Sequence, residues 1–146
     1  MLAQLEFLAS ITAAIFAGAA LYINLVEHPA RMTLATAVAA SEWAPSYARA
    51  TLMQAPLALV SLAAGLGAWW LGGGVGWALA AIAIGAVVPV TFIVIMPTNR
   101  RLLEAGRDLS CAETRALLER WARLHAVRTA LSLLATVIDL SLPLRS

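Results

Sequence analysis

The residues with the richest chemistry lie in one stretch, Trp121-Ala122-Arg123-Leu124-His125-Ala126-Val127-Arg128. On a helix, positions i, i+4 and i+7 share a face, so Trp121, His125 and Arg128 form a stripe that Ser132, Thr136 and Asp139 continue. An imidazole takes or gives a proton or ligates a metal, a guanidinium holds an anion, and an indole offers a flat face with one N–H. A stripe of this make-up must face something polar. Near the start of the chain, Ala17, Leu21, Asn24 and His28 share another helical face, which brings an amide and the second of the two histidines to the end of the first apolar run.

The elements that must position these groups follow from composition. The chain is 62% hydrophobic and 12% charged, with a mean hydropathy of +0.84. Three uncharged runs, 7–26, 51–71 and 77–96, reach the roughly 20 residues needed to cross a bilayer, and a less perfect fourth covers 126–144. Lipid offers no partner to backbone N–H and C=O groups, and the runs are continuous rather than alternating, so they are expected as helices. The expectation is an all-α integral membrane protein, with residues 1–146 forming one four-helix transmembrane domain.

Four spans place 27–50 and 97–125 on one side of the membrane, and both termini with the 72–76 glycine turn on the other. The ten basic residues are all arginines, and every one except Arg145 falls on or borders the first side. By the positive-inside rule that side is cytoplasmic, which predicts external termini. The net charge of +2 and the pI near 9.3 express this asymmetry, and nucleic acid is not implied. The first run carries Glu6 and no basic flank, so it reads as a retained span rather than a cleaved signal. Cys111 is the lone cysteine, which excludes an internal disulfide; it reads as structural.

Along the first helix, Ser10, Ala14 and Gly18 form a small-residue face expected to pack closely on a neighbour, and they lead to Tyr22. Glu27-His28-Pro29 should end that helix. The polar segment 30–50 should not span, and its 31–40 part is expected to lie along the membrane surface. Trp43, Tyr47, Trp69, Trp70 and Trp77 read as interfacial aromatics, the last three at the outer boundary. Pro89 should kink the third helix by crowding the Gly85 carbonyl. Asn99 is placed to start a new helix, and Ser110-Cys111-Ala112-Glu113 has the form of a capping box. Nothing interrupts 112–140, which predicts one helix about 43 Å long. Asp139 then lies at membrane depth, where it should face the bundle, be protonated, or approach the outer interface.

This topology brings His28, Trp43, Tyr47, Gln54, Asn99, Trp121, His125 and Arg128 to one membrane face, as donors and acceptors at the mouth of an apolar bundle. A ligand pocket at the cytoplasmic end is the expectation. Gly18-x-x-x-Tyr22, Glu27-His28-Pro29-Ala30-Arg31, Trp43, Pro97-Thr98-Asn99-Arg100-Arg101-Leu102 and Trp121-x-x-x-His125-x-x-Arg128 together resemble a widespread family of small four-helix membrane proteins of unknown function, grouped with the anthrone oxygenases. The chain looks closer to its bacterial branch, and that resemblance implies a bacterial inner membrane. The resemblance implies a four-helix membrane fold and, for anthrone-oxygenase members, oxidation of an anthrone to an anthraquinone by O2 without metal or flavin.

Such chemistry needs a base, groups that stabilise anionic oxygen, and an apolar pocket. His125 or His28 is the candidate base and Arg128 with Asn99 the anion stabilisers. Trp43 and Trp121 are candidates to stack on a flat ring, and Tyr47 and Tyr22 complete the substrate-binding set. No cofactor is required on this reading. One alternative is a haem held by His28 and His125; no metal-site motif supports a metal ion. The other is a non-catalytic binder of a lipophilic small molecule, or an accessory subunit in a homo-oligomer or larger membrane complex.

Overall fold

The computed structural model describes residues 1–145. Its four long helices are α1 (Leu2–Arg31), α2 (Thr36–Gly73), α3 (Val75–Leu102) and α4 (Ala112–Ser141), each long and apolar enough to cross a membrane. No strand occurs among the described residues. The helices run up and down in sequence, and each packs against its two neighbours far more than across the diagonal. This is the expected four-helix membrane bundle.

The core forms three layers along the bundle. Ala9, Ala64, Ala68 and Trp77 meet at the end that holds the N-terminus; Phe16, Ala58, Ile84 and Ala135 fill the middle; Ile23, Trp43, Ile95, Leu118 and Trp121 fill the far end. Small residues dominate the first two layers because helices in lipid gain stability from close backbone approach. Gly65 shows how close: a Cβ there would stand 3.0 Å from the Ala81 Cβ and 3.3 Å from the Trp77 carbonyl. The outer surface carries Phe7, Leu52, Ile82, Ile93 and Val137, all exposed, as suits contact with acyl chains.

Several expectations give way for identifiable reasons. The packing face of α1 is Ala9, Ala13, Phe16, Ala17 and Ala20, while Gly18 is exposed and Ser10 and Ala14 are half-buried. Both faces carry small residues, so residue size alone did not separate them. The first helix does not end at Glu27-His28-Pro29. It widens into a π-helical turn at Ile23–Glu27 and continues through His28–Arg31. Pro29 lacks an N–H for the Leu25 carbonyl, and the wider turn accommodates that loss. The same device recurs in α3, where the α-helical path stops at Gly85, four residues before Pro89, and a π-turn at Val90–Ile95 precedes Pro97.

Segment 36–50 does not lie on a surface; it is the first part of α2. Its apolar face, Ala39, Ala40 and Trp43, enters the bundle while Ser41, Glu42 and Arg49 stay outside. At about 1.5 Å per residue α2 exceeds the roughly 30 Å hydrocarbon thickness, so its polar turns need not enter lipid. Trp77 is buried, 2% exposed, and is no surface anchor, whereas Trp69 and Trp70 are exposed as expected. The α2–α3 turn depends on Gly72 and Gly74, with φ of +91° and +95°.

Asn99 starts no helix, since it lies within the last turns of α3. The capping box does not form: Asp108 accepts bonds from the Ser110 N–H at 2.8 Å and hydroxyl at 2.6 Å, and Glu113 pairs with Arg101. Those two bonds also hold the Asp108 carboxyl below the usual carboxylate range. The fourth helix is continuous as expected, and Asp139 faces the bundle, 2% exposed.

Candidate functional site

The polar stripe of α4 points inward at the far end of the bundle: Trp121, His125, Arg128, Ser132 and Asp139 are all buried. His125 is fixed by α1. Its Nδ1 lies 2.8 Å from the Asn24 Oδ1, which also accepts the Thr129 hydroxyl at 2.6 Å. The Asn24 amide N–H donates to the Ala122 carbonyl at 3.0 Å. That donation settles the amide's orientation and makes Oδ1 the acceptor, so in the neutral ring the proton sits on Nδ1 and the lone pair on Nε2. The ring's hydrogen bond among the described residues is made through Nδ1 and none through Nε2. It is free to accept a proton.

Arg128 is 8% exposed and reaches α2 through Gln54. Its Nη2 donates to the Gln54 Oε1 at 2.9 Å, and its Cζ lies 5.5 Å from the centroid of the Phe16 ring. No carboxylate lies within ion-pair distance among the described residues. The cation–π contact contributes about 0.5–2 kcal/mol, while a buried ion costs several kcal/mol to desolvate. The contrast with Arg31 is direct. Arg31 is as buried, yet it pairs with both Glu27 and Glu42, donates to the Ser46 hydroxyl at 3.1 Å and approaches the His28 Nδ1 at 3.3 Å. Arg31 is a closed structural clamp between α1 and α2. Arg128 is an open cation.

Two spaces meet at Arg128. An apolar chamber of about 400 Å³ between α2 and α3 is walled by Phe16, Ala58, Leu59, Val87, Phe92 and Met96, with Tyr47, Thr51 and Arg128 at its polar end. Behind it, a void of about 10 Å³ is bordered by Trp43, Gln54, Trp121 and His125 and shares Tyr47, Thr51 and Arg128 with the chamber. The void holds about one water. Glu27 also borders it, but its carboxylate is held by Arg31 and Ser46.

The aromatic residues pack as a unit. Trp43 and Tyr47 stack with centroids 5.1 Å apart, Trp43 meets Trp121 edge-on at 5.7 Å, and Trp121 contacts both His125 at 4.8 Å and His28 at 5.2 Å. A haem ligated by both imidazoles would need Trp121 to leave its place against the two rings. Tyr22 stands apart, exposed on a cleft of about 620 Å³ between α1 and α2. Asn99 is buried with neither amide atom bonded, and borders neither the chamber nor the void.

Thus His125, Arg128, Trp43, Tyr47, Trp121 and Gln54 come together, His28 joins through Trp121, and Tyr22 and Asn99 do not. Sequence reasoning assigned no role to Phe16, Asn24, Thr51 or Thr129. Asn24 had a signal, since it shares a helical face with His28, but its partner lies across the bundle.

The fold is thus a four-helix bundle apolar enough to span a membrane, with a buried guanidinium at the head of an apolar chamber. The chain belongs to the anthrone oxygenase family, whose model matches residues 43–138 and so spans every site residue on α2 and α4. It is 39% identical over 77 residues to the anthrone oxygenase tpcL of Aspergillus fumigatus, a match covering 51% of this chain and 48% of that protein. The chain thus spans about half the length of the curated relative it matches. No solved structure matches it significantly.

Proposed function

We propose that the protein is a membrane-embedded oxygenase that uses dioxygen to convert the acidic methylene of a flat, phenolic, anthrone-like substrate into a carbonyl. The observation that carries the reading is Arg128, a buried guanidinium with no carboxylate partner at the head of a 400 Å³ apolar chamber. That volume lies within the roughly 300–1,000 Å³ of small-molecule sites. The chamber takes the aromatic rings, and Arg128 takes the oxygen that becomes anionic when the substrate loses a proton. A relative named as an anthrone oxygenase supports this substrate class.

His125 is the base. Its Nδ1 is occupied by Asn24, so Nε2 is the atom that receives the methylene proton. Arg128 stabilises the resulting enolate, lowering the barrier as a preorganised cation in a water-poor site. The enolate gives one electron to O2, the carbon radical and superoxide combine to a carbon-bound peroxide, and protonation gives the hydroperoxide. Loss of the remaining C–H proton breaks the O–O bond, leaving a carbonyl and hydroxide, which is protonated to water. In sum, CH2 and O2 become C=O and H2O, so neither a reductant nor a cofactor is required. The arginine distribution supports a cytoplasmic position for this end of the bundle.

The test is steady-state turnover of anthrone by full-length protein in mild detergent, compared with Arg128→Met. The expected result is quinone formation by the wild type and a loss of about 100-fold or more in kcat for the variant. A folded wild type that binds anthrone without oxidising it would establish the alternative, a non-catalytic lipophile-binding protein.

A further inference from the structure

The small void has a chemistry of its own. Four of its bordering residues carry buried N–H groups with no hydrogen-bond partner among the described residues: the indole Nε1 of Trp43, the indole Nε1 of Trp121, the amide Nε2 of Gln54 and the guanidinium Nε of Arg128. They come from α2 and α4, and their side chains are between 1% and 8% exposed. Buried donors of this kind are nearly always paired, so four around one small space require an explanation. A water molecule accepts only two hydrogen bonds and would leave donors unpaired. An anion with several lone pairs on two adjacent oxygens would not.

We propose that this void is the dioxygen subsite, built to hold O2 as it becomes superoxide and then peroxide. The assignment rests on the oxygenase reading and adds where oxygen is reduced. Size is in keeping with it, because a space of about 10 Å³ admits no ring system, and dioxygen is the smallest of the reactants. Position supports it too: Tyr47, Thr51 and Arg128 border both void and chamber, so oxygen in the void adjoins the reacting carbon. The donors do not stabilise neutral O2. They act when the enolate passes one electron to it, and continue to act on the peroxide anion after the C–O bond forms. The nearby His125 Nε2–H, charged by the first proton transfer, then protonates the distal oxygen, which leaves as water when the second C–H bond breaks. Trp43 and Trp121 serve here through their N–H groups, because the indole face of Trp43 is already covered by Tyr47.

The experiment measures the rate against O2 at saturating anthrone, and against anthrone at saturating O2, for the wild type, Trp43→Phe, Trp121→Phe and Gln54→Leu. Each Phe variant keeps a ring and removes the N–H. The expected result is a fall of about tenfold or more in kcat/KM for O2 with the anthrone KM within about twofold, and more superoxide released per quinone. Equal losses in both substrates, or unchanged oxygen dependence in folded variants, overturn the assignment. If an indole variant does not fold, Gln54→Leu decides, since among the described residues the one side-chain hydrogen bond of Gln54 is to Arg128. A wild type that consumes no oxygen removes the oxygenase reading itself, whereas an active wild type with indifferent variants removes the subsite alone.

Discussion

Asn24→Leu tests the arrangement around His125. The substitution is nearly isosteric and removes three interactions: acceptance from His125 Nδ1 at 2.8 Å, acceptance from the Thr129 hydroxyl at 2.6 Å, and donation to the Ala122 carbonyl at 3.0 Å. Two donors lose their acceptor. In water-soluble proteins each would cost about 1–3 kcal/mol, but interhelical hydrogen bonds in bilayers average nearer 0.6 kcal/mol because the unfolded helices also find partners. Thr129 has an alternative in the Ala20 carbonyl at 3.3 Å. The expected destabilisation is therefore about 1–2 kcal/mol, small enough to leave a folded bundle. Activity should suffer more, because without Asn24 the imidazole is free to rotate or to carry its proton on Nε2, where it cannot serve as the base. A fall in kcat of about 10- to 100-fold is expected, with partial recovery in Asn24→Asp, whose carboxylate again accepts from Nδ1. Nitrogen-15 NMR of labelled histidine in detergent would report the tautomer directly. If Asn24→Leu kept the Nδ1–H form and full turnover, the role given to Asn24 would be refuted.

Other substitutions probe the scaffold and the chamber. Arg31→Met leaves Glu27 and Glu42 without their shared cation and should lower stability by about 1–3 kcal/mol, to be recovered in part when both glutamates become Gln; thermal unfolding in detergent reads both. Gly65→Val forces branches against Ala81 and the Trp77 carbonyl and should cost about 1–3 kcal/mol, whereas Gly18→Ala, with open space around it, should be neutral in the same assay. Ala55→Trp places an indole at the chamber wall and should raise the anthrone KM about tenfold or more without lowering the unfolding temperature, as competition with a fluorescent anthraquinone would show.

The Trp121, His125 and Arg128 stripe was legible because helical period alone puts those residues on one face, and an apolar chain cannot expose them to lipid. The length of α4 followed from the same reasoning, and the inward turn of Asp139 is one of the three outcomes that reasoning allowed. What escaped depends on register between helices. The Asn24–His125 and Gln54–Arg128 pairs join residues 101 and 74 positions apart, and no local pattern encodes such a match. Nor could the sequence show that Arg31 is paired and Arg128 is not, since eight carboxylates were available to either. Segment 36–50 was misread because its polarity was averaged rather than resolved by face: Ser41, Glu42 and Arg49 look outward while Ala39, Ala40 and Trp43 look in. Proline was misread as a terminator, where a π-turn absorbed it. The Asn99 side-chain amide stands buried with no hydrogen-bond partner among the described residues, which no feature of the sequence foretold.

The most direct test of the central claim follows the oxygen atom. Full-length protein in mild detergent, given anthrone under isotopically labelled dioxygen, should consume one O2 per quinone and place one labelled oxygen in the new carbonyl, with the other in water. Before addition of anthrone, the same preparation should show no Soret band and no stoichiometric metal. Label entering from water instead, or quinone forming no faster than with Arg128→Met, would contradict the account.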